Sequence, residues 1–389
     1  MRIAIISLIA WDFIHQRPHK FAEELADRGH DVLYVEPASF TAGRYDTLKA
    51  LCQRAPHLRR VAPNIRAIRP VLYPPFRQHG DRMGRNRWLA PLVTSQLRRL
   101  RPDFLIVLAP EYAPVVERLG VPFAYDHVDD TQLMDHVDTA RFVAAMERLR
   151  RRSAFNVYIQ AAEARQDPKG VYIANGIDAD QFRPLSVPKL FDAVVLSNIA
   201  RWFDMDAVLA SRKRILLIGP MDIDGGDNRA RFFAAARPNL AWIPQVDKQV
   251  ANLWLSRAAV GLVPFDHRHP VLRYAMPIKI LEYFLAELPV VTYRNAGITE
   301  QYGDLVTYYA GDGSEPLDLD AAIEVAKTRR GAHDYRAFAG RYQWRDLVGE
   351  LERHIVAVVG RCGGAPRSPA APPTSSAPAA LRRRGRVPR

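Results

Sequence analysis

The sequence predicts an α/β protein built from two doubly wound parallel-sheet domains that face each other across a cleft. Three observations predict this. Short apolar runs alternate with helical stretches along most of the 389 residues, the pattern of parallel sheets covered by helices on both faces. The alternation runs in two series separated at residues 178–189 by a stretch with prolines and little periodicity, which suits a crossing between domains. The chain is long enough for two ordinary domains, and its 48% apolar and 25% charged residues are ordinary globular values.

The first series opens with a strand at residues 2–9 and a helix at 17–28, in which Phe21 and Leu25 recur one turn apart and Gly29 stands where the helix stops. Further strands are expected at 31–36, 104–108, 123–125, 157–159 and 171–173. The second series places strands at 193–197, 214–218, 240–242, 260–263 and 290–292, with helices between them. A last helix within 341–360 carries Leu347, Leu351, Ile355 and Val358 as one apolar stripe. The expected division is therefore an N-terminal domain at 1–184, a second domain at 185–340, a helix at 341–360 available to pack back on the first domain, and a tail at 361–389.

No apolar run reaches the roughly eighteen residues of a membrane span. The N-terminal MRIAIISLIAWDF runs into a polar stretch without a small-residue cleavage site, so it reads as a first strand and the protein as cytoplasmic. Two cysteines, Cys52 and Cys362, argue for neither a disulfide framework nor a zinc site. The net charge is +13, and the tail's seven arginines without an acid account for more than half of it, leaving +6 for the rest. That tail is rich in Ala, Pro and Ser and is expected to be disordered. The body's excess gathers at Arg98, Arg99 and Arg101 and at Arg148, Arg150, Arg151 and Arg152. Such helical faces suit either plain solvation or an anionic membrane surface, where each nearby cation contributes about 1 kcal/mol. No recognition motif accompanies the charge, so nucleic acid is not expected as a partner.

The most informative stretch is MPIKILEYFLAELPVV at 276–291. Pro277 suits a first helical turn, Ile278, Leu281 and Leu285 share one face, and Lys279 and Glu282 share another. A helix start with a lysine can receive a diphosphate, and a carboxylate nearly a turn deeper can accept hydrogen bonds from ribose hydroxyls. The same spacing also describes an ordinary surface ion pair.

This pattern resembles the donor-site helix of GT-B glycosyltransferases, in which a Pro-x-Lys-x-x-Glu-Tyr or -Ala segment precedes a Pro-Val-Val strand. ANGIDADQF at 174–182 resembles the segment closing the first domain of these enzymes, and ILLIGP at 215–220 resembles their strand and Gly-Pro turn beside the nucleotide. WDFIHQRPHKFAEELADRGHDVLYVEP at 11–37 is similar to a narrower group, the family 4, teichuronic-acid and exopolysaccharide biosynthesis glycosyltransferases. The resemblance covers about residues 1–355 and implies a GT-B fold with two Rossmann-like domains. It implies a transfer from a nucleotide-diphosphate sugar, a UDP-sugar, to a glycan or lipid-linked glycan acceptor in cell-surface polysaccharide synthesis. No cofactor or metal is implied, the nucleotide sugar being a substrate. Lys279 then neutralises the leaving diphosphate, Glu282 binds the donor ribose, Arg201 is a second diphosphate contact or a surface cation, and Gly219 admits the nucleotide or merely turns the chain. One departure stands out: where the large retaining branch has a Glu eight residues before the ribose-binding Glu, this chain has Tyr274, which leaves the anomeric outcome open.

An inverting transfer needs a general base beside the acceptor hydroxyl. In AYDHVDDTQ at 124–132, Asp126, Asp129 and Asp130 are expected on the loop following a strand. Asp126 is favoured as the base with Asp129 next, and helix capping is their alternative role. His127 and His15 are weaker candidates. The loop at 11–17 is expected to line the acceptor side, with His15, Gln16, Arg17 and His19 as sugar or phosphate contacts or as plain helix-start residues. Asp222 and Asp224 match an Asp-x-Asp metal motif, but they follow the second domain's Gly-Pro turn and a three-residue match has little weight, while His267 and His269 alternate with no evident third ligand nearby. Two other readings share the donor pocket: a GT-B sugar-nucleotide epimerase or hydrolase, and a catalytically silent carbohydrate-binding relative.

Overall fold

The computed structural model describes residues 1–13, 15–37, 39–40, 57–69, 71–72, 82–127, 139–222, 225–273, 275–311 and 317–361. Cys52, Asp129, Asp130, Asp224, Tyr274, Cys362 and the arginines of the tail beyond Arg361 lie outside the described residues. The strands in chain order are β1 (Arg2–Ile6), β2 (Asp31–Val35), β3 (Ser39–Phe40), β4 (His57–Ala62), β5 (Ile65–Arg69), β6 (Val71–Leu72), β7 (Phe104–Val107), β8 (Phe123–His127), β9 (Phe155–Tyr158) and β10 (Gly170–Tyr172). They continue with β11 (Phe191–Leu196), β12 (Ile215–Ile218), β13 (Leu240–Ile243), β14 (Ala258–Val263), β15 (Val290–Arg294) and β16 (Val306–Gly311).

Among the described residues one sheet has the order β10-β9-β8-β7-β1-β2-β5-β4 and another the order β13-β12-β11-β14-β15-β16. Every pair is parallel except β4 with β5. The inner strands β7 and β12 are buried on both faces, which is why they read as unbroken apolar runs; β9 is equally buried but carries Asn156. The antiparallel β4–β5 hairpin at the edge and the strand β16 were not among the expected strands.

The helix Trp344–Arg361 buries Trp344, Val348, Leu351, Ile355 and Val358 in a cluster with Phe21 and Leu25 of the helix Arg17–Asp27 and with Ile3 and Ile5 of β1. Trp344 meets Phe21 edge-to-face at 6.1 Å. Glu352 seals this seam, its carboxylate 2.7 Å from His30 Nε2 and 3.2 Å from Arg28 Nη1. The last described helix thus packs against the first sheet. The helices Arg82–Leu100, Ala113–Leu119 and Thr139–Arg152, which carry the two basic clusters, share one core under the first sheet. No helix of the described residues is long and apolar enough to cross a membrane.

Candidate active site

Open α/β sheets bind ligands outside the carboxyl ends of their strands, where the strand order reverses. In the second sheet that point lies between β11 and β14, whose pairing ends at Val194 and Gly261. The Tyr283 hydroxyl fills the gap beyond: it accepts the Leu196 N–H at 2.8 Å and donates to the Leu262 carbonyl at 3.1 Å. Burial pushes this phenol's pKa up, so it stays a neutral donor. Gly261 makes the arrangement possible, since a Cβ there would stand 2.4 Å from Tyr283 Cγ. The helix Lys279–Leu285 is thereby pinned directly beneath the crevice, and its fixed position places Lys279 and Glu282. Neither Tyr283 nor Gly261 carries a local sequence signal of this role.

The helix begins two residues after Pro277, with Ile278 as the preceding cap, so Pro277 lies outside the first turn where it was expected. Lys279 Nζ donates to Glu282 Oε2 at 2.6 Å. The lysine side chain is 30% exposed and the glutamate 8%, so the carboxylate lies deep and the ammonium faces outward. Lys248, which opens the helix Lys248–Ser256, has its pKa lowered by burial first. Glu282 and Asp178 then raise it, and Lys20 and Lys279 lower it. Lys20 belongs to the helix Arg17–Asp27 of the first half and pairs with Glu23 at 2.9 Å and Asp178 at 3.0 Å. Groups from both halves therefore share one electrostatic neighbourhood around Lys279. Across the same gap, Asn175 Nδ2 donates to the Met276 carbonyl at 3.4 Å.

Arg201 lies exposed on the loop after β11. Gly219, with φ of 138°, is demanded by another backbone: a Cβ would sit 2.0 Å from the Ser197 carbonyl oxygen. Its carbonyl accepts the Trp242 indole N–H at 2.9 Å. Asp222 caps the helix Asn228–Ala235, its carboxylate accepting the N–H groups of Asn228 and Arg229 at 2.9 and 2.8 Å. No cluster of three His, Cys, Asp or Glu exists among the described residues.

On the acceptor side the structure relocates Asp126. It was expected on a loop facing the cleft; it is the fourth residue of β8 and is 1% exposed. Arg17 takes both of its oxygens, Nε to Oδ2 at 2.8 Å and Nη2 to Oδ1 at 3.2 Å. The remaining guanidinium hydrogens go to the carbonyls of Ala174 and Ile173, both at 2.9 Å, and to Asn175 Oδ1 at 3.4 Å. All of the Arg17 donors are consumed, and the Asp126 carboxylate is buried against them. A strand can keep a carboxylate in its buried end when a guanidinium from elsewhere satisfies it. The pair clamps the start of the helix Arg17–Asp27 to the ends of β8 and β10.

His15 and Gln16 are exposed, while His19 is fully buried. His19 Nδ1 accepts the Gln16 backbone N–H at 3.1 Å, which leaves Nε2–H to donate to the Trp11 carbonyl at 3.1 Å. Burial and then His15 lower the His19 pKa, so this ring is neutral. His15 stacks on it with centroids 4.6 Å apart and planes 12° apart. Its Nδ1 lies 3.1 Å from Glu23 Oε1, and the side chain is half exposed. His127 lies between Tyr125 and Tyr158 with centroids 6.1 and 5.6 Å away.

No protein-family model matches the chain, and no curated protein matches it by sequence. Solved structures do resemble it. Sucrose-phosphate synthase from Thermosynechococcus elongatus superposes with a TM-score of 0.67 at 15% identity, covering 92% of this chain and 99% of that one. HepE of Anabaena, in complex with UDP and glucose, gives 0.64 at 15% identity over 92% and 100% of the two chains. Trehalose 6-phosphate synthase from Burkholderia multivorans gives 0.61 at 12% identity over 94% and 99%. With likeness of this extent over both sheets, the chain has the GT-B fold.

Proposed function

We propose that this chain is a glycosyltransferase that moves a sugar from a UDP-sugar to a glycan or lipid-linked glycan acceptor of the cell surface. The observation that carries the reading is the Lys279–Glu282 pair, held beneath the crevice of the second sheet by Tyr283. An outward ammonium there offsets charge building on a departing diphosphate, an interaction strongest in the transition state, and the deeper carboxylate accepts hydrogen bonds from a ribose. Structural neighbours crystallised with UDP, UDP and glucose, or UDP-glucose support the donor class. Arg201 and the Gly219 turn border this donor pocket in the reading.

On the inverting course the acceptor hydroxyl must lose its proton, and we assign that role to His15, a half-exposed imidazole beside Glu23. Glu23 Oε1 stands 3.1 Å from its Nδ1, and the reading gives the proton-accepting role to its other ring nitrogen, Nε2. Asp126 acts at one remove, as a positioning residue through Arg17, while Asp129 remains the competing base.

Saturating UDP is expected to raise the melting temperature of the wild-type protein, ligand at 100 times its Kd contributing about 2.7 kcal/mol. In Lys279→Gln the shift at the same concentration shrinks or disappears. A wild-type melting temperature indifferent to UDP and to a panel of other nucleotide sugars sinks the donor assignment.

The same reading places the enzyme at an anionic membrane surface on the cytoplasmic side. The helices ending in Arg98 and Arg99 and in Arg150, Arg151 and Arg152 lie in one layer. Only part of this charge is paired internally, as by Glu117 with Arg148 at 3.4 Å and Arg152 at 3.7 Å. Sedimentation with phosphatidylserine vesicles at low salt is expected, reversed at high salt; equal recovery with neutral vesicles rules it out.

A further inference from the structure

At the opposite end of the second sheet, where β11, β14 and β15 begin, a cavity of about 320 Å³ opens on the surface. Its wall includes Lys189, Ser256, Glu287, Arg330, His333 and Tyr335. Lys189 Nζ spends one hydrogen on the Ser256 carbonyl at 2.6 Å. Its pKa is pushed down to about 8, first by burial and then by the Arg330 guanidinium. Glu287 also lines the cavity, but among the described residues neither Lys189 nor Arg330 forms an ion pair with it or with any other carboxylate. Asp334, also on the wall, is occupied in capping the helix Tyr335–Gly340 by accepting the Ala337 N–H at 2.8 Å. Two neighbouring cations on one cavity wall, neither paired with a carboxylate, are an arrangement that a bound anion stabilises.

We infer that this cavity is a second binding site, separate from the donor crevice, for a small anion bearing a phosphate or carboxylate group. Lys189 and Arg330 are its charged anchors, and Tyr335, whose ring meets His333 edge-on at 5.7 Å, is its aromatic wall. Its position gives an occupant leverage on the crossing between the two halves. Pro184 and Leu185 of the crossing line the cavity. The helix that Asp334 caps holds the crossing through Arg336, which donates to the carbonyls of Phe182 at 3.0 Å, Ala179 at 3.1 Å and Leu285 at 2.8 Å. The inference rests on charge and cavity alone and stands whether or not the donor assignment does.

The test is a competition at Lys189 itself. The full chain is labelled with an acetylating reagent at pH 7.5, and the rate at each lysine is read by peptide mass mapping, with inorganic phosphate or equal ionic strength of chloride present. Phosphate is expected to slow Lys189 acetylation at least threefold in the wild type and in Lys279→Gln, and to leave it unchanged in Arg330→Gln. Arg330 is exposed, so its substitution spares the fold. An unchanged Lys189 rate in the wild type overturns the site. So does protection that persists in Arg330→Gln, and protection lost in Lys279→Gln assigns the effect to the donor crevice instead.

Discussion

Arg17→Met is expected to destabilise the first sheet's half of the molecule by about 3–5 kcal/mol, the cost of stripping one partner from a buried ion pair. The substitution leaves the Asp126 carboxylate in a strand end without a single donor, and it strips the carbonyls of Ile173 and Ala174 of their guanidinium contacts. Methionine fills much of the volume over Phe21, whose ring the guanidinium now covers at 4.7 Å, so the loss is electrostatic more than steric. Asp126→Asn costs less, because an amide oxygen still accepts one guanidinium N–H. The double variant Arg17→Met with Asp126→Leu should lose clearly less than the two single losses combined, since no charge is then left buried. Urea unfolding followed by tryptophan fluorescence reads the effect as a shift in the midpoint of the earlier transition. A shift equivalent to less than about 1 kcal/mol would mean that water reaches the carboxylate.

That pair also marks where the sequence stops being readable. The parallel strands were legible because burial on both faces writes them as apolar runs, and the last helix because Leu351, Ile355 and Val358 fall on its buried stripe. Lys279 and Glu282 were legible because a spacing of three residues fixes their meeting on a helix. Asp126 was not. Its strand continues through Asp126 and His127, two polar residues that locally read as a loop, and the guanidinium that makes this tolerable comes from 109 residues away. The β4–β5 hairpin was hidden for a related reason. Arg59, Arg66 and Arg69 interrupt its apolar pattern, yet each has a carboxylate: Arg59 pairs with Asp12 and Glu36, Arg66 with Asp31, and Arg69 with Glu36. Tyr283 read as one more apolar residue of a helix, and only the topology shows that its hydroxyl stands where two strands part. Polar groups satisfied over long sequence distances are invisible to local pattern, whereas those satisfied within one helical turn are not.

His15→Gln is expected to lower kcat by about 10²–10⁴, the contribution of a positioned general base, while leaving the melting temperature and UDP binding near those of the wild type. The side chain is half exposed, so little packing is lost. Glutamine retains a group able to meet Glu23 but has no lone pair of imidazole basicity. The orientation of the ring is over-determined, by Glu23 on Nδ1, by the parallel stack on His19, and by the edge of Trp11 at a centroid distance of 5.8 Å. Glu23→Gln weakens this orientation without removing the base, so its kcat falls less than that of His15→Gln. The decisive comparison is with Asp129→Asn, assayed on the same donor and acceptor. Full activity in His15→Gln together with loss in Asp129→Asn transfers the role of base to the aspartate. Loss confined to His15→Gln ties proton removal to the loop after β1.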